Sequence, residues 1–543
     1  MIVGILLAAL ARGAETDAPD PLGRREPAPT SGITRVEATG NRIALTVTGL
    51  ESDFEIVQLQ PEQGESDIPA ATAIARGKGG GSSRLELDRF AVEAGRITDR
   101  IDRGFCARVV PGAGKTRVVG AIRHVERCER TARLHPPPVV AKSRKGLQVQ
   151  MVDDAIALGV QHAAFNVNLS GLVDPHGEPG SIVWENQGRF FHFRRAAVEA
   201  IPAKALSDAG AVVTLILLAY ASGDPEVDAL CLHPGYSPKA PNHLGAFNTK
   251  TREGAAWFEA AVGFLADRFS QPGAPHGRAS NFIIGNEVTA HWYWANQGEV
   301  PAEQFIVDYE RTVRLANAAV QAATDSVRVY LSFDHHWNLT YGNNPNRAIA
   351  GRRLLDGFNR RATLGGNFDW HVAYHPYPEN LGNPRTWLDK TALPSADTPR
   401  ITFRNLEVLT EYLARPELLW NGRPRRVILS EQGFHSDGTA QGEELQAAAY
   451  AYAWEKVARL EGIDAFILHR HVDHGQEGGL NLGLWRRKSG SMADPDMRKP
   501  IHDVFRAADT DRREAAFRFA LPIVGLTNWQ QLSAPGSGGG ARP

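Results

Sequence analysis

A (β/α)8 barrel preceded by a small all-β domain is the fold the 543-residue sequence predicts. Three observations predict it. From Gly32 to about Arg130, apolar and polar residues alternate with period two. At the break His135-Pro136-Pro137-Pro138-Val139-Val140 this gives way to helical stretches separated by short apolar runs, the pattern of a parallel sheet with crossover helices. The runs that follow number eight over roughly 370 residues, a size that suits a barrel with long loop insertions.

Taken in order, the chain opens on an apolar run from Ile2 to Ala11 followed by small residues, which resembles the apolar region and cleavage zone of an export signal. No Lys or Arg precedes it, so the usual basic start is missing, and export to the periplasm or outside is the expectation. Asp17–Ser31, rich in Pro, Asp and Arg, is a linker, which makes residues 1–31 a signal and linker segment. Residues 32–135 carry the strands RIALTVTGL, FEIVQLQ, RLELDRF, FCARVV and RVVGAIRHV between turns such as GKGGGSS, the signature of a β-sandwich. The stretch PGAGKT at Pro111–Thr116 invites a phosphate-loop reading. That motif needs Gly where Val109 stands, so a hairpin turn explains it better.

The barrel is expected over 138–510. Its strands are Val139–Lys142, Ala163–Ser170, Val212–Tyr220, Asn281–Val288, and the runs VRVYLSFDHH, FDWHVAYHPY, RVILSEQGF and IDAFILHRHVD. Helices are expected over GLQVQMVDDAIALGV, from about Arg194 to Ala209, and around Ala255–Phe269. An open doubly wound sheet is the alternative, and the absence of G-x-G-x-x-G after the first strands weakens its dinucleotide-binding version. Residues 511–543 form a C-terminal segment ending in the disordered-type tail APGSGGGARP.

Composition narrows the function classes. Lys and Arg total 60 against 61 Asp and Glu, and a net charge of −1 gives no support for a nucleic-acid or membrane-surface partner. The cysteines Cys106, Cys128 and Cys231 contain no C-x-x-C pair, which excludes a structural zinc or thioredoxin-like motif, and whether Cys106 and Cys128 pair is open. No run of 18 apolar residues is present to span a membrane. Eleven Trp and eleven Tyr supply the flat rings on which sugar faces stack, although many such rings serve the core.

In a barrel, catalytic groups sit at the C-terminal ends of strands. Strand four ends Gly285-Asn286-Glu287, and strand seven ends Ser430-Glu431-Gln432-Gly433. Both glutamates follow strongly apolar runs, where a carboxylate is costly without a partner or a task. Either alone could be a structural carboxylate paired with Arg. Two together match glycosidic bond cleavage, which needs one carboxyl protonated and one ionised on opposite sides of the anomeric carbon.

At these residues the sequence resembles the clan A glycoside hydrolases, barrel enzymes with a catalytic Glu on strand four, preceded by Asn, and another on strand seven. The resemblance covers approximately residues 138–510, and GNEV, YHPYPEN and ILSEQGF look most like a bacterial clan-A-like domain family with no assigned substrate. It implies that Glu287 is the acid/base, Glu431 the nucleophile and Asn286 a contact to the sugar 2-hydroxyl. It also implies that His375 and Tyr377 form the strand-six His-x-Tyr, with Tyr377 near the nucleophile. Two features depart from the clan. Strand two offers Asn166 and Asn168 where an arginine is usual, and strand eight runs Leu468-His469-Arg470-His471-Val472-Asp473-His474 in place of a terminal Trp.

The segment His291-Trp292-Tyr293-Trp294 follows Glu287 in the loop over the mouth, where Trp292, Tyr293 and Trp294 either form a sugar-stacking wall or two of the three rings pack beneath the loop. Asn168, His336, His469 and His471 complete the expected substrate contacts. The density of His335, His336, His375, His469, Arg470 and His471 points to a carbohydrate that carries negative charge. A metal-dependent hydrolase is the sharp rival, but its His-x-His belongs on the first strand, which has none; no metal or cofactor is expected. A non-catalytic carbohydrate-binding barrel, with contacts from the β domain, is the other alternative. The presence of both glutamates favours an enzyme, and the resemblance implies a retaining glycoside hydrolase acting on β-linked poly- or oligosaccharide.

Overall fold

The structure, a computed structural model, describes residues 30–109 and 117–532. The export segment, all but the end of the linker, the Pro111–Thr116 turn and the glycine-rich tail lie outside the described residues. The N-terminal part is two four-stranded sheets. One orders the strands Arg127–Glu129, Gly32–Thr39, Arg42–Leu50 and Gly81–Asp88; the other orders Ala73–Gly77, Phe54–Leu59, Gly104–Val109 and Arg117–Arg123. Their alternation puts Ile33, Val36, Leu45, Phe54, Ile56 and Phe105 into one core. Cys106, Cys128 and Cys231 are all free thiols.

Eight strand–helix units follow: β1 (Lys145–Gln148), α1 (Val152–Ala157), β2 (His162–Asn168), α2 (Ala203–Asp208), β3 (Val212–Tyr220), α3 (Arg252–Arg268), β4 (Asn281–Ile284), α4 (Ala302–Ala323), β5 (Arg328–Phe333), α5 (Gly351–Leu364), β6 (Trp370–Tyr374), α6 (Glu407–Leu413), β7 (Val427–Leu429), α7 (Ala440–Ala458), β8 (Ile463–Leu468) and α8 (Pro500–Ala507). Each strand pairs in parallel with the next, and β8 pairs with β1, so the barrel closes and the open-sheet alternative falls. Ile216, Leu218, Ile283, Tyr330, Ile428 and Ile467 fill its interior, while a second, larger cluster joins the strands' outer faces to the helices.

Three expectations need correction. The first strand is Lys145–Gln148, not Val139–Lys142, and Gly146-Leu147-Gln148 is strand rather than helix. The three prolines lack backbone donors for a ladder, and the segment after them stays at the surface, with Val140 78% exposed. The helix expected over Arg194–Ala209 is two short ones, Arg195–Glu199 and α2, because Pro202 pushes the residue before it out of helical backbone. Strand four ends at Ile284 rather than Val288, since Gly285 (φ 85°) and Glu287 (φ 39°) both turn left-handed. A hairpin that the sequence reading did not identify, Ile182–Asn186 with Arg189–Phe193, also stands between β2 and α2.

The β domain docks away from the mouth. Ala318 of α4 enters its core, Arg123 donates to the Thr363 and Leu364 carbonyls, and the His124 amide donates to Gly365. These groups lie towards the C-terminal ends of α4 and α5. Helices run opposite to the strands, so that end of the barrel is remote from the strand termini that form the mouth. After α8, Phe517, Ala520 and Trp529 pack into the outer layer of the barrel. Among the described residues, no helix is long and apolar enough to cross a membrane.

Candidate active site

β4 and β7 deliver the two glutamates. Beyond Ile284, Gly285 accepts the left-handed turn without strain, whereas Glu287 adopts φ 39° with a side chain, a conformation that costs energy and is held by its surroundings. The Glu287 amide donates to Ser332 Oγ at the end of β5 (2.9 Å). Glu431 sits two residues past β7, between the buried Ser430 and Gln432; the Gln432 side chain donates to the Ile467 carbonyl (2.5 Å) and so locks β7 to β8. Gly433 permits that closeness, since a Cβ there would lie 2.2 Å from the His469 carbonyl oxygen.

β6 connects the two carboxylates. His375, 1% exposed, lies 3.0 Å from Glu287 Oε1 through Nδ1 and 3.0 Å from Ser430 Oγ through Nε2. The Tyr377 hydroxyl donates to Glu431 Oε1 (3.2 Å). From β1, the Gln148 amide donates to Glu431 Oε2 (3.1 Å) and to the Ser430 carbonyl (3.2 Å). Glu287, His375 and Glu431 each place one donor atom within 4.8 Å of the other two, the only such group of three among the described residues. A divalent cation held by these donors would take one ring nitrogen of His375 and displace the contact that nitrogen makes, to Glu287 or to Ser430.

The two carboxyls are pushed apart electrostatically. Burial raises the Glu287 pKa, the charges of Glu431 and Asp334 add to the rise, and the His375 contact only partly offsets it. Burial also penalises the Glu431 charge, but His469, His375 and the Gln148 hydrogen bond outweigh it, so its pKa falls below the ordinary value. Burial opposes a charge on His375; its hydrogen bond to Glu287 and the Glu431 charge prevail and raise it. Both shifts at the Glu287–His375 contact favour keeping a proton there.

The other expected residues divide. His469 reaches the site through Gln148 Oε1 (2.6 Å) and turns its other nitrogen to Glu477 (2.8 Å), which also binds Arg470 (2.7 Å). Asn286, half-buried, immediately precedes Glu287. Trp294 is half-buried and packs on the barrel's interior cluster together with Tyr220, whereas Trp292 is buried with the Arg347 guanidinium over its ring. Asn168 accepts the Tyr220 amide and so ties β2 to β3. His336 pairs with Asp334 (3.0 Å). His471 is fully buried, accepts the Gln150 and Met151 amides and faces Asp154, which joins β8 to α1.

Sequence reasoning missed Gln148, Ser430, Tyr220, Tyr341 and Glu477. Tyr220 ends β3 and was legible by the rule that picked the glutamates; burial and the Glu431 charge push its hydroxyl up to about 12. Gln148 was hidden by the misplaced first strand. Tyr341 and Glu477 come from long loops and carry no sequence signal. Tyr341 packs edge-on against Tyr293 (4.8 Å) and His336 (5.8 Å), and its hydroxyl, shifted upward mainly by burial, feels the Glu287 charge. These half-buried rings form a wall on the Glu287 side of the mouth.

The model of a family of unknown function, DUF5722, matches residues 137–532. A search of curated proteins finds no match. Among solved structures, a family 39 glycoside hydrolase from Bacteroides cellulosilyticus WH2 is similar with 12% identity over 88% of this chain and 83% of its own, at a TM-score of 0.46. A hyperthermophilic β-glucosidase from Pyrococcus furiosus gives 14% identity over 68% and 86%, at 0.41. A Bacteroides uniformis β-glucuronidase gives 10% over 88% of this chain and 51% of its own, at 0.36.

Proposed function

The chain belongs to the family of unknown function DUF5722, so its activity has to be read from its own residues, and we propose that it is a retaining glycoside hydrolase for β-linked sugars. The observation that carries this is the Glu287–Glu431 pair: two carboxyls on opposite-shifted sides of the ordinary value, with a donor oxygen of each within 4.8 Å. Retention suits carboxyls about 5–5.5 Å apart, and inversion needs about 6.5–9.5 Å to admit a water. Glu431, ionised and oriented by Tyr377 and Gln148, attacks the anomeric carbon. Glu287 gives its proton to the departing oxygen, and the C–O bond breaks as the glycosyl ester forms. Glu287 then takes a proton from water, which adds to the anomeric carbon and frees Glu431.

The expected acidity of the substrate meets a specific obstacle. His336, His375, His469, Arg470 and His471 each already face a carboxylate, and burial together with the His336 charge pushes the His335 pKa well below its ordinary value. This supports a neutral sugar, a reading that equal or faster rates on a neutral glycoside than on its uronic counterpart would bear out. The β domain docks remote from the mouth, which favours catalysis by the barrel alone over shared binding.

The decisive experiment is hydrolysis of a β-linked aryl glycoside panel, with nuclear magnetic resonance of the first-formed sugar. The β anomer is expected. An α anomer would mean single displacement by water with no glycosyl ester, so that Glu431 would not be a nucleophile, and full activity of Glu431→Ala would remove the mechanism. Activity lost on chelation and restored by a divalent cation would favour the metal-dependent alternative at the same three donors.

A further inference from the structure

Behind Glu431 a chain of polar groups runs from β1 to β8 and into the loop that follows. The Gln148 amide can stand only one way round. Its Nε2 faces the Ser430 carbonyl and the Glu431 carboxylate, both of which only accept. Its Oε1 therefore faces His469 Nδ1 at 2.6 Å, and that nitrogen must carry a proton. The other nitrogen, Nε2, lies 2.8 Å from Glu477 Oε1. Glu477 also takes the Arg470 guanidinium at 2.7 Å, an always-charged partner that favours the ionised carboxylate. It is an acceptor too. Both nitrogens of His469 are donors, so the ring is an imidazolium, 5% exposed, set between two carboxylates with Gln148 as the link to one of them.

We propose that His469 is a positioning residue, fixed as a cation by Glu477, and that it acts through Gln148 to orient and stabilise the Glu431 carboxylate. The inference rests on the reading of Glu431 as nucleophile. The arrangement balances charge: Glu431 and Glu477 face His469 and Arg470, two anions against two cations in a largely buried setting, where unpaired charge is costly. It also ties register to chemistry. The His469 amide donates to the Gln432 carbonyl (2.8 Å), so the backbone that carries the cation is bonded to the backbone that carries Glu431.

The test is carboxyl carbon-13 titration of the full chain labelled at glutamate, with Glu431 assigned by its loss in Glu431→Gln. In His469→Gln the Glu431 midpoint should rise by about 1 pH unit or more, the size expected when a nearby opposite charge is removed. Glu477→Gln, which leaves no anion to hold the second ring proton, should raise it as well. Gln148→Met, which cuts the link but keeps the His469–Glu477 pair, should raise it by less. The acid limb of the pH–rate profile should move with the midpoint, which a merely structural role would not produce. Should His469→Gln fail to fold, the other two variants carry the test. The titration needs no substrate, so an unchanged midpoint in the folded variants overturns this inference even if the protein hydrolyses glycosides. Absence of hydrolysis by the wild type, by contrast, overturns the glycosidase reading.

Discussion

Glu287 and Glu431 are the same residue type, and their environments separate them. Glu287 has burial and two anions acting to raise its pKa; Glu431 has His469, His375 and Gln148 acting to lower its own. The proposed mechanism uses Glu431 charged and Glu287 neutral, so kcat/KM should be bell-shaped, with its acid limb below the ordinary glutamate value of 4.5 and its alkaline limb above it. Removal of the acid in Glu287→Ala should slow substrates with poor leaving groups by about 10²–10⁴-fold. Substrates with good leaving groups should be spared in the first step, and azide should restore the second step with a β-azide product. Glu431→Ala should show no turnover. Tyr341, whose ring faces the Glu287 side, should matter to binding of the leaving portion: Tyr341→Ala is expected to raise KM about 5-fold, equivalent to ~1 kcal/mol of lost ring contact, with kcat little changed. Steady-state kinetics on aryl glycosides and disaccharides distinguish these effects.

Among the elements, the junction of β7 and β8 is the tightest part of the site. Gly433 lies where a Cβ would meet the His469 carbonyl oxygen at 2.2 Å and the Leu482 side chain at 3.0 Å. Backbone cannot retreat there without breaking the His469–Gln432 hydrogen bond. Gly433→Ala should therefore cost about 1–3 kcal/mol of stability, the range for overpacking, and should lower activity beyond what the lost folded fraction explains. Urea unfolding with parallel rate measurements checks both. The opposite wall behaves differently. At β4 the left-handed Glu287 is followed by the turn Val288–Ala290, and the Ile349 amide from the next loop donates to Thr289, so the strained residue is held by contacts beyond its own strand.

At the scale of the whole molecule, the β domain and the barrel meet around a buried polar cluster. Gln187, at the tip of the inserted hairpin, donates to Asp102 (3.0 Å) and to Glu259 of α3 (2.6 Å), and accepts from Arg103 (3.0 Å). Burial, with the Asp102 charge beside it, lifts Glu259 to about 8 from an ordinary 4.5. The folded protein then holds a proton that the unfolded chain releases near 4.5. Stability contributed by this group is complete below that pH and is lost as pH rises towards 8. Chemical denaturation across that range should show a declining unfolding free energy, and Glu259→Gln should flatten the decline. An unchanged slope in the variant would place the pH dependence elsewhere.

Much of this was legible from local pattern. Period-two strands before the three prolines, strand–helix units after them and apolar runs that end on Glu287 and Glu431 all follow from where side chains must point. His375 and Tyr377 are singled out by the strand-six His-x-Tyr that the sequence shares with the clan it resembles. What sequence could not supply was anything that depends on the distance between segments far apart in the chain. Lys145–Gln148 is too short to announce itself as a strand, and only closure of the barrel against β8 makes it one, so Gln148 stayed hidden. The histidines looked alike in sequence as a basic cluster. In three dimensions His471 holds α1 through Asp154, His336 pairs with Asp334, and His469 stands behind Glu431 through Gln148. The sequence by itself determined the architecture and the two carboxylates, because periodicity and strand ends are local properties. Only the tertiary structure decided in which direction each carboxylate's pKa moves and which charged groups stand near it, because burial and charge separation exist only once the barrel has closed.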